Sequence, residues 1–137
     1  MTPTVLPITL TIAAAAAVLH IWLAARVSQL RNRHKVSIGD GGNEALIRRM
    51  RAHANYGENM PIVLILLALI ELAGGDPRIL WGAAIIFIVA RFLHAFGMDR
   101  TPPSKLRMFG MIGSTLALII LAGYAIFILY SHPRAFA

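Results

Sequence analysis

At 137 residues the chain has the length of one domain, yet 58% of it is hydrophobic and its mean hydropathy is +0.69, far above an ordinary soluble domain. It has no cysteine, which excludes a disulfide framework, a protein thiolate nucleophile and a cysteine metal site. The formal charge of +7 would suggest nucleic acid in a soluble protein, but the basic residues lack interleaved aromatics and fall where membrane topology puts them.

Residues Met1 to Ala25 carry no charge, and neither do Met108 to Tyr130. Each stretch is long enough to cross a hydrocarbon core of roughly 30 Å as a helix. Span one is expected over about Val5 to Val27. It lacks a basic leader and is too long for a secretory core, so it reads as a retained anchor. Its Ala13–Ala17 run offers a smooth face for close helix packing. A basic polar segment, RNRHKVSIGDGGNE, follows. There Gly39-Asp40-Gly41-Gly42 reads as a turn, Asn43 as a helix N-cap, and Glu44 as a favourable charge in the next first turn.

Span two is expected over about Glu44 to Leu72, with its first turns projecting beyond the lipid. Pro61 removes one helical hydrogen bond, so a kink is expected near Gly57–Pro61. Gly74-Gly75-Asp76-Pro77 then makes a tight turn. Span three runs from about Arg78 to Phe96, and the short connection DRTPPSK leads to span four, about Ser104 to Tyr130. Short connections make neighbours antiparallel. The expected fold is all-α: an integral membrane four-helix bundle with up-down topology.

Arg26, Arg31, Arg33, Lys35, Arg48, Arg49 and Arg51 follow span one, and Arg91, Arg100, Lys105 and Arg107 surround the third connection. Arg78 and Arg134 stand alone elsewhere. The positive-inside rule therefore puts connections one and three in the cytoplasm and both termini outside.

Within span two, RAHANYGENMP places Arg51, Asn55 and Glu58 at i, i+4 and i+7, on one helical face above the apolar run IVLILLALI. Ionisable groups at the lip of a membrane suggest a polar ligand site, and this trio could hold a zwitterion's amine and carboxylate together. The plainer account is an ion-pair network that sets helix register, or a contact with lipid phosphate. For Arg48 and Arg49, lipid or solvent contact is the simpler expectation. Arg91 and His94, at i, i+3 near the end of span three, read as a snorkelling anchor and a satisfied helix-end group, and His94 would face the bundle if span three is the partner helix of Arg51. Arg107, at the start of span four, could stabilise a substrate thiolate or an oxyanion. Histidines 20, 34, 53, 94 and 132 lack metal-ligand spacing, so no metal is expected, and His20 reads as a helix–helix hydrogen-bond partner. Glu71 and Asp76 are expected to point to water.

RAHANYGENMP resembles the helix-two signature R-A-x-x-N-x-x-E-x-x-P of the MAPEG family, the membrane-associated proteins of eicosanoid and glutathione metabolism. RNRHKVSIGDGGN and ARFLHAFGM are similar to its bacterial members, and the likeness runs from about Arg26 to Tyr130. The resemblance implies a homotrimer of four-helix bundles with glutathione bound between subunits near the cytoplasmic side. It implies glutathione contacts for Arg51, Asn55 and Glu58, and for Arg31 from a neighbouring subunit. His94 matches a histidine that contacts the tripeptide, and Arg107 stands where the family's thiolate-activating arginine does. The chain departs from the pattern at Met98, Met108 and Met111, where family members carry a tyrosine, a serine and a further tyrosine. Each lost hydroxyl removes a hydrogen bond worth roughly 0.5–1.5 kcal/mol.

Together these features suggest a glutathione-dependent transferase or peroxidase of a bacterial inner membrane, using glutathione as substrate or cofactor on a lipophilic electrophile from the bilayer. The rival reading is a non-catalytic trimeric membrane protein whose polar cluster binds lipid headgroups or fastens the assembly. A transporter is disfavoured, because paired broken helices and a mid-membrane charge pathway are lacking.

Overall fold

The computed structural model describes residues 6–131, which form four helices in an antiparallel bundle. They are α1 (Pro7–His34), α2 (Glu44–Leu72), α3 (Pro77–Met98) and α4 (Lys105–Ser131). Each is long and apolar enough to cross a membrane, α2 the least apolar of the four because its first half carries the polar trio. Val5, His132 and Arg134 lie outside the described residues.

Helix boundaries follow from local chemistry. α1 continues past its apolar run through the basic segment to His34. Arg31, Arg33 and His34 favour the negative end of the helix dipole, so charge there extends the helix. It closes at Lys35, which adopts a left-handed φ of 55°. The Val36 N–H then donates to the Arg31 carbonyl at 3.0 Å and the Lys35 N–H to that of Asn32 at 3.4 Å. Asn43 caps α2 by accepting the Leu46 N–H at 3.0 Å. α2 then runs unbroken through Pro61 and ends at Gly74, whose φ of 74° permits the same closing pattern onto Ile70 and Glu71. Asp76 caps α3 through the Arg78 N–H at 2.8 Å. Ser104 starts α4, accepting the Met108 N–H on its carbonyl at 3.2 Å.

Packing divides the bundle into two close pairs, α3 with α4 and α1 with α2. On α2 the buried residues Ala52, Tyr56, Met60, Val63, Leu67 and Ile70 recur at helical spacing and meet Phe87, Leu80 and Leu121. Small residues bring the backbones together. A Cβ on Gly110 would overlap the backbone of His94 and the Ala90 carbonyl, and one on Gly97 would overlap the backbone of Arg107. The alanine run of α1 serves the other pair, where the buried Tyr56 hydroxyl donates to the Ala16 carbonyl at 2.6 Å. Outward faces are apolar along all four helices, for example Val18, Ile65, Val89 and Ile119. A membrane or a neighbouring subunit must cover them.

At the end of the bundle that holds the second connection, one expectation is overturned. Glu71 does not point to water. Its carboxylate accepts the Ile8 and Thr9 N–H groups at 2.8 Å each and the Thr9 hydroxyl at 2.7 Å. The reason is that the first turn of α1 leaves donors orphaned, and a carboxylate at that positive pole satisfies them. Asp76 is exposed but committed to its cap, and its own N–H donates to the Tyr124 hydroxyl at 2.6 Å.

Two outcomes follow for thermal unfolding in detergent, followed by helical ellipticity. Gly110→Ala should lower the Tm by several degrees, while Gly123→Ala, where a Cβ meets open space, should leave it within about a degree. Glu71→Ala should also lower the Tm, since it strips three hydrogen bonds from the start of α1, a loss of roughly 1–3 kcal/mol.

Candidate functional site

The end carrying connections one and three gathers the polar residues, and α2 presents its trio there. Arg51 and Glu58 are exposed and Asn55 is half-buried, on the side of α2 away from Ala52, Tyr56 and Met60. The same stripe continues down the helix as the exposed Ile62, Ile65 and Leu69. The trio therefore lies towards the outside of the bundle.

Behind Asn55 stands Arg91. The sequence suggested a snorkelling anchor for this residue, but it is 3% exposed and points into the bundle. Its Nη1 donates to Asn55 Oδ1 at 2.6 Å, and its Nη2 donates to the Gly110 carbonyl at 3.3 Å and to the Ser114 hydroxyl. That hydroxyl donates onward to the Gly110 carbonyl at 2.7 Å. The guanidinium carbon lies 5.4 Å from the Phe87 ring centre. Burial wins over snorkelling because Asn55, Ser114 and the Gly110 carbonyl supply acceptors inside the bundle. His94, one turn on, is also buried, at 5% exposure, with its backbone against Gly110. Its side chain makes no hydrogen bond to another described residue.

Arg107 is exposed and lines a cleft of about 610 Å³ between the start of α2, the end of α3 and the start of α4. Arg48 and Arg100 share the cleft, as do Met98, Met108, Met111, Ile112 and the Pro102-Pro103 turn. No carboxylate is among its lining residues. Three guanidiniums over a thioether floor suit an anion that carries apolar bulk. The three methionines noted in the sequence thus line one cleft together with Arg107. Arg48 pairs with Glu44 at 3.5 Å, and its Nε is buried with no hydrogen-bond partner among the described residues.

Arg31 is half-buried at the end of α1. Its Nη1 donates to the Ser37 carbonyl at 3.3 Å, and its Nη2 lies 3.5 Å from Met50 Sδ, which braces the first connection. Arg51, Asn55 and Glu58 are brought together on α2, Arg107 belongs to the cleft, and Arg31 stands apart on α1.

Sequence reasoning missed a second cluster. Arg26, 7% exposed, forms an ion pair with Asp99, stacks 4.5 Å from the Trp22 ring centre, and reaches the Ala95 carbonyl at 3.5 Å. Arg49 donates to the other Asp99 oxygen at 3.1 Å and to the Arg26 carbonyl at 2.9 Å. The expectation of lipid or solvent contact for Arg49 is therefore corrected: one carboxylate draws both guanidiniums inward and ties α1, α2 and the end of α3 together. The signal was present in Asp99, the one acidic residue in a connection otherwise basic. Finally, His20 of α1 faces His53 of α2 with ring nitrogens 3.4 Å apart.

Comparison with known proteins agrees with this architecture. The sequence matches the model of the MAPEG family over residues 9–127. It is also similar to the inner membrane protein YecN of Escherichia coli strain K12 and to its namesake in Escherichia coli O6:H1. Each is 28% identical over 95 residues, which cover 69% of this chain and 72% of the relative.

Asp99→Asn should weaken the Arg26 and Arg49 contacts and leave a largely buried guanidinium without its counter-charge. The expected result is a Tm lowered by several degrees, with a further loss at high salt smaller than that of the wild type, measured by ellipticity in detergent.

Proposed function

Because the chain belongs to the MAPEG family, we propose that it is a glutathione-dependent transferase or peroxidase of the inner membrane acting on lipophilic electrophiles. The observation that carries this reading is the cleft in which exposed Arg107 stands with Arg48 and Arg100 over Met98, Met108 and Met111. Its volume of about 610 Å³ lies within the usual range for small-ligand sites, and its positive charge suits an ionisable thiol.

In this reading Arg107 holds the glutathione thiol as the thiolate, since a nearby fixed cation favours the charged form. The released proton passes to solvent. The thiolate sulfur forms a bond to an electrophilic carbon, and the leaving group departs with the bonding electrons. The methionines contribute no hydroxyl donor, so stabilisation of the sulfur falls on the guanidinium, while their thioethers offer the second substrate an apolar surface. Arg51, Asn55 and Glu58 bind the peptide's charged ends on the outer face of α2. Arg31 and His94 complete the binding set when subunits assemble as a trimer. The basic end faces the cytoplasm, where glutathione is soluble, and both termini face outside.

One observation favours a second reading. Asn55 already hydrogen-bonds Arg91 within the chain, as a purely structural amide would. In that case the polar cluster fastens a non-catalytic trimer or holds lipid headgroups.

Substitution of Arg107 separates the two. Under the enzymatic reading, Arg107→Ala should cut kcat/KM for conjugation of a chromogenic aryl chloride by roughly 10²–10³-fold without changing the size of the assembly on gel filtration. The residual rate of the variant should climb as pH rises toward about 8.5, because the thiol must then ionise unaided. Undiminished turnover in the variant, or no heat of glutathione binding to the wild type, would favour the structural reading.

A further inference from the structure

We propose that Arg91 is a positioning residue: it locks the Asn55 side-chain amide so that this position offers a ligand hydrogen-bond donors only. The inference rests on the glutathione-binding reading above, which it deepens.

An arginine carries N–H donors and no acceptor and remains charged, so the Asn55 atom facing Nη1 at 2.6 Å must be the carbonyl oxygen. A flipped amide would set donor against donor. Asn55 Nδ2 consequently keeps both of its N–H groups, and it forms no hydrogen bond with a described residue. Below it, the Asn55 main-chain carbonyl accepts from Asn59 at 2.7 Å, which holds the neighbouring amide out of the way.

Arg91 is itself fixed. Donors run in one direction, from Nη2 to the Ser114 hydroxyl and from that hydroxyl to the Gly110 carbonyl, and Phe87 flanks the guanidinium. All its hydrogen-bond partners are neutral, and its Nε is buried without a partner. A buried cation with no counter-charge is an expensive way to join three helices, since an apolar residue of similar volume would pack the niche without being desolvated. What a cation adds is directional. It forces the amide orientation and projects positive potential through Asn55 towards the outer face of α2. A free asparagine would present oxygen or nitrogen with little preference, and its oxygen would repel an anionic acceptor. The locked one accepts only ligands that place a carboxylate, carbonyl or thiolate there.

The test uses the intact protein in detergent micelles, with glutathione affinity from titration calorimetry and Tm from ellipticity. Asn55→Asp keeps an acceptor for Arg91 and adds an ion pair, so its Tm should equal or exceed the wild type. It removes the amide donors, so its Kd for glutathione should weaken at least tenfold. Arg91→Met should also weaken the Kd at least tenfold, and Arg91→Lys, which retains a charged donor, should recover to within about threefold of wild type. The proposal is overturned if Asn55→Asp binds as wild type does. It is equally overturned if Arg91→Met lowers the Tm while the folded protein keeps its affinity. A wild type that takes up no glutathione overturns the functional reading instead. The lock is then judged by the 15N-labelled Asn55 side-chain amide, whose resonances should move in Arg91→Met and whose constancy would refute it.

Discussion

A guanidinium buried among apolar helices is the constraint around which this bundle is arranged. Arg91 lies at the junction of α2, α3 and α4, and its donors reach Asn55, Ser114 and the Gly110 carbonyl. Such a charge is tolerated in a membrane protein only where polar groups replace its water. That demand accounts for several otherwise separate features. Gly110 has no side chain because His94 and Ala90 pass too close and because its carbonyl must stay open to Arg91. Ser114 is buried because its hydroxyl relays the hydrogen bond. Asn55 turns its oxygen inward, which leaves its nitrogen for the outer face.

The two ends of the bundle are secured by charge in different ways. At one end Glu71 supplies acceptors to the orphan donors of α1, a local use of the helix dipole. At the other, Asp99 pairs with both Arg26 and Arg49 and joins three helices through one carboxylate. Asp99 does not line the neighbouring cleft, where Arg48, Arg100 and Arg107 stand without a carboxylate among the lining residues. Structural acid is thus used up beside the cleft, and the cleft itself stays cationic. An anionic ligand meets three guanidiniums there over an apolar floor.

The cleft and the α2 stripe divide the candidate site between them. Arg51 and Glu58 face outward above Ile62, Ile65 and Leu69, so that surface is polar at one end and apolar along the rest. A neighbouring bundle seated on the stripe would bury its apolar part and enclose the polar part, which gives a physical reason for a site shared between subunits. The methionines at 98, 108 and 111 make the floor of the Arg107 cleft apolar beneath its three guanidiniums.

Much of this was legible in the residues. Apolar runs marked four spans, two of them free of charge, and turn and cap chemistry placed Asn43, the Gly39–Gly42 turn and the Gly74–Pro77 turn where they stand, because such signals act over a few residues of chain. Helical spacing put Arg51, Asn55 and Glu58 on one face without any tertiary information. Hydropathy marks where an apolar run stops, whereas the basic helix α1 continues beyond that point to His34. Only the tertiary structure decided which charges turn inward. Arg91 and Arg49 read as anchors in sequence, and Glu71 as a solvated acid, since a residue's own identity carries no record of the partner another helix brings to it. Ion pairs and buried hydrogen bonds between Arg91 and Asn55, Arg26 and Asp99, or Glu71 and Thr9 link positions 36, 73 and 62 residues apart, and they exist only once the helices have packed.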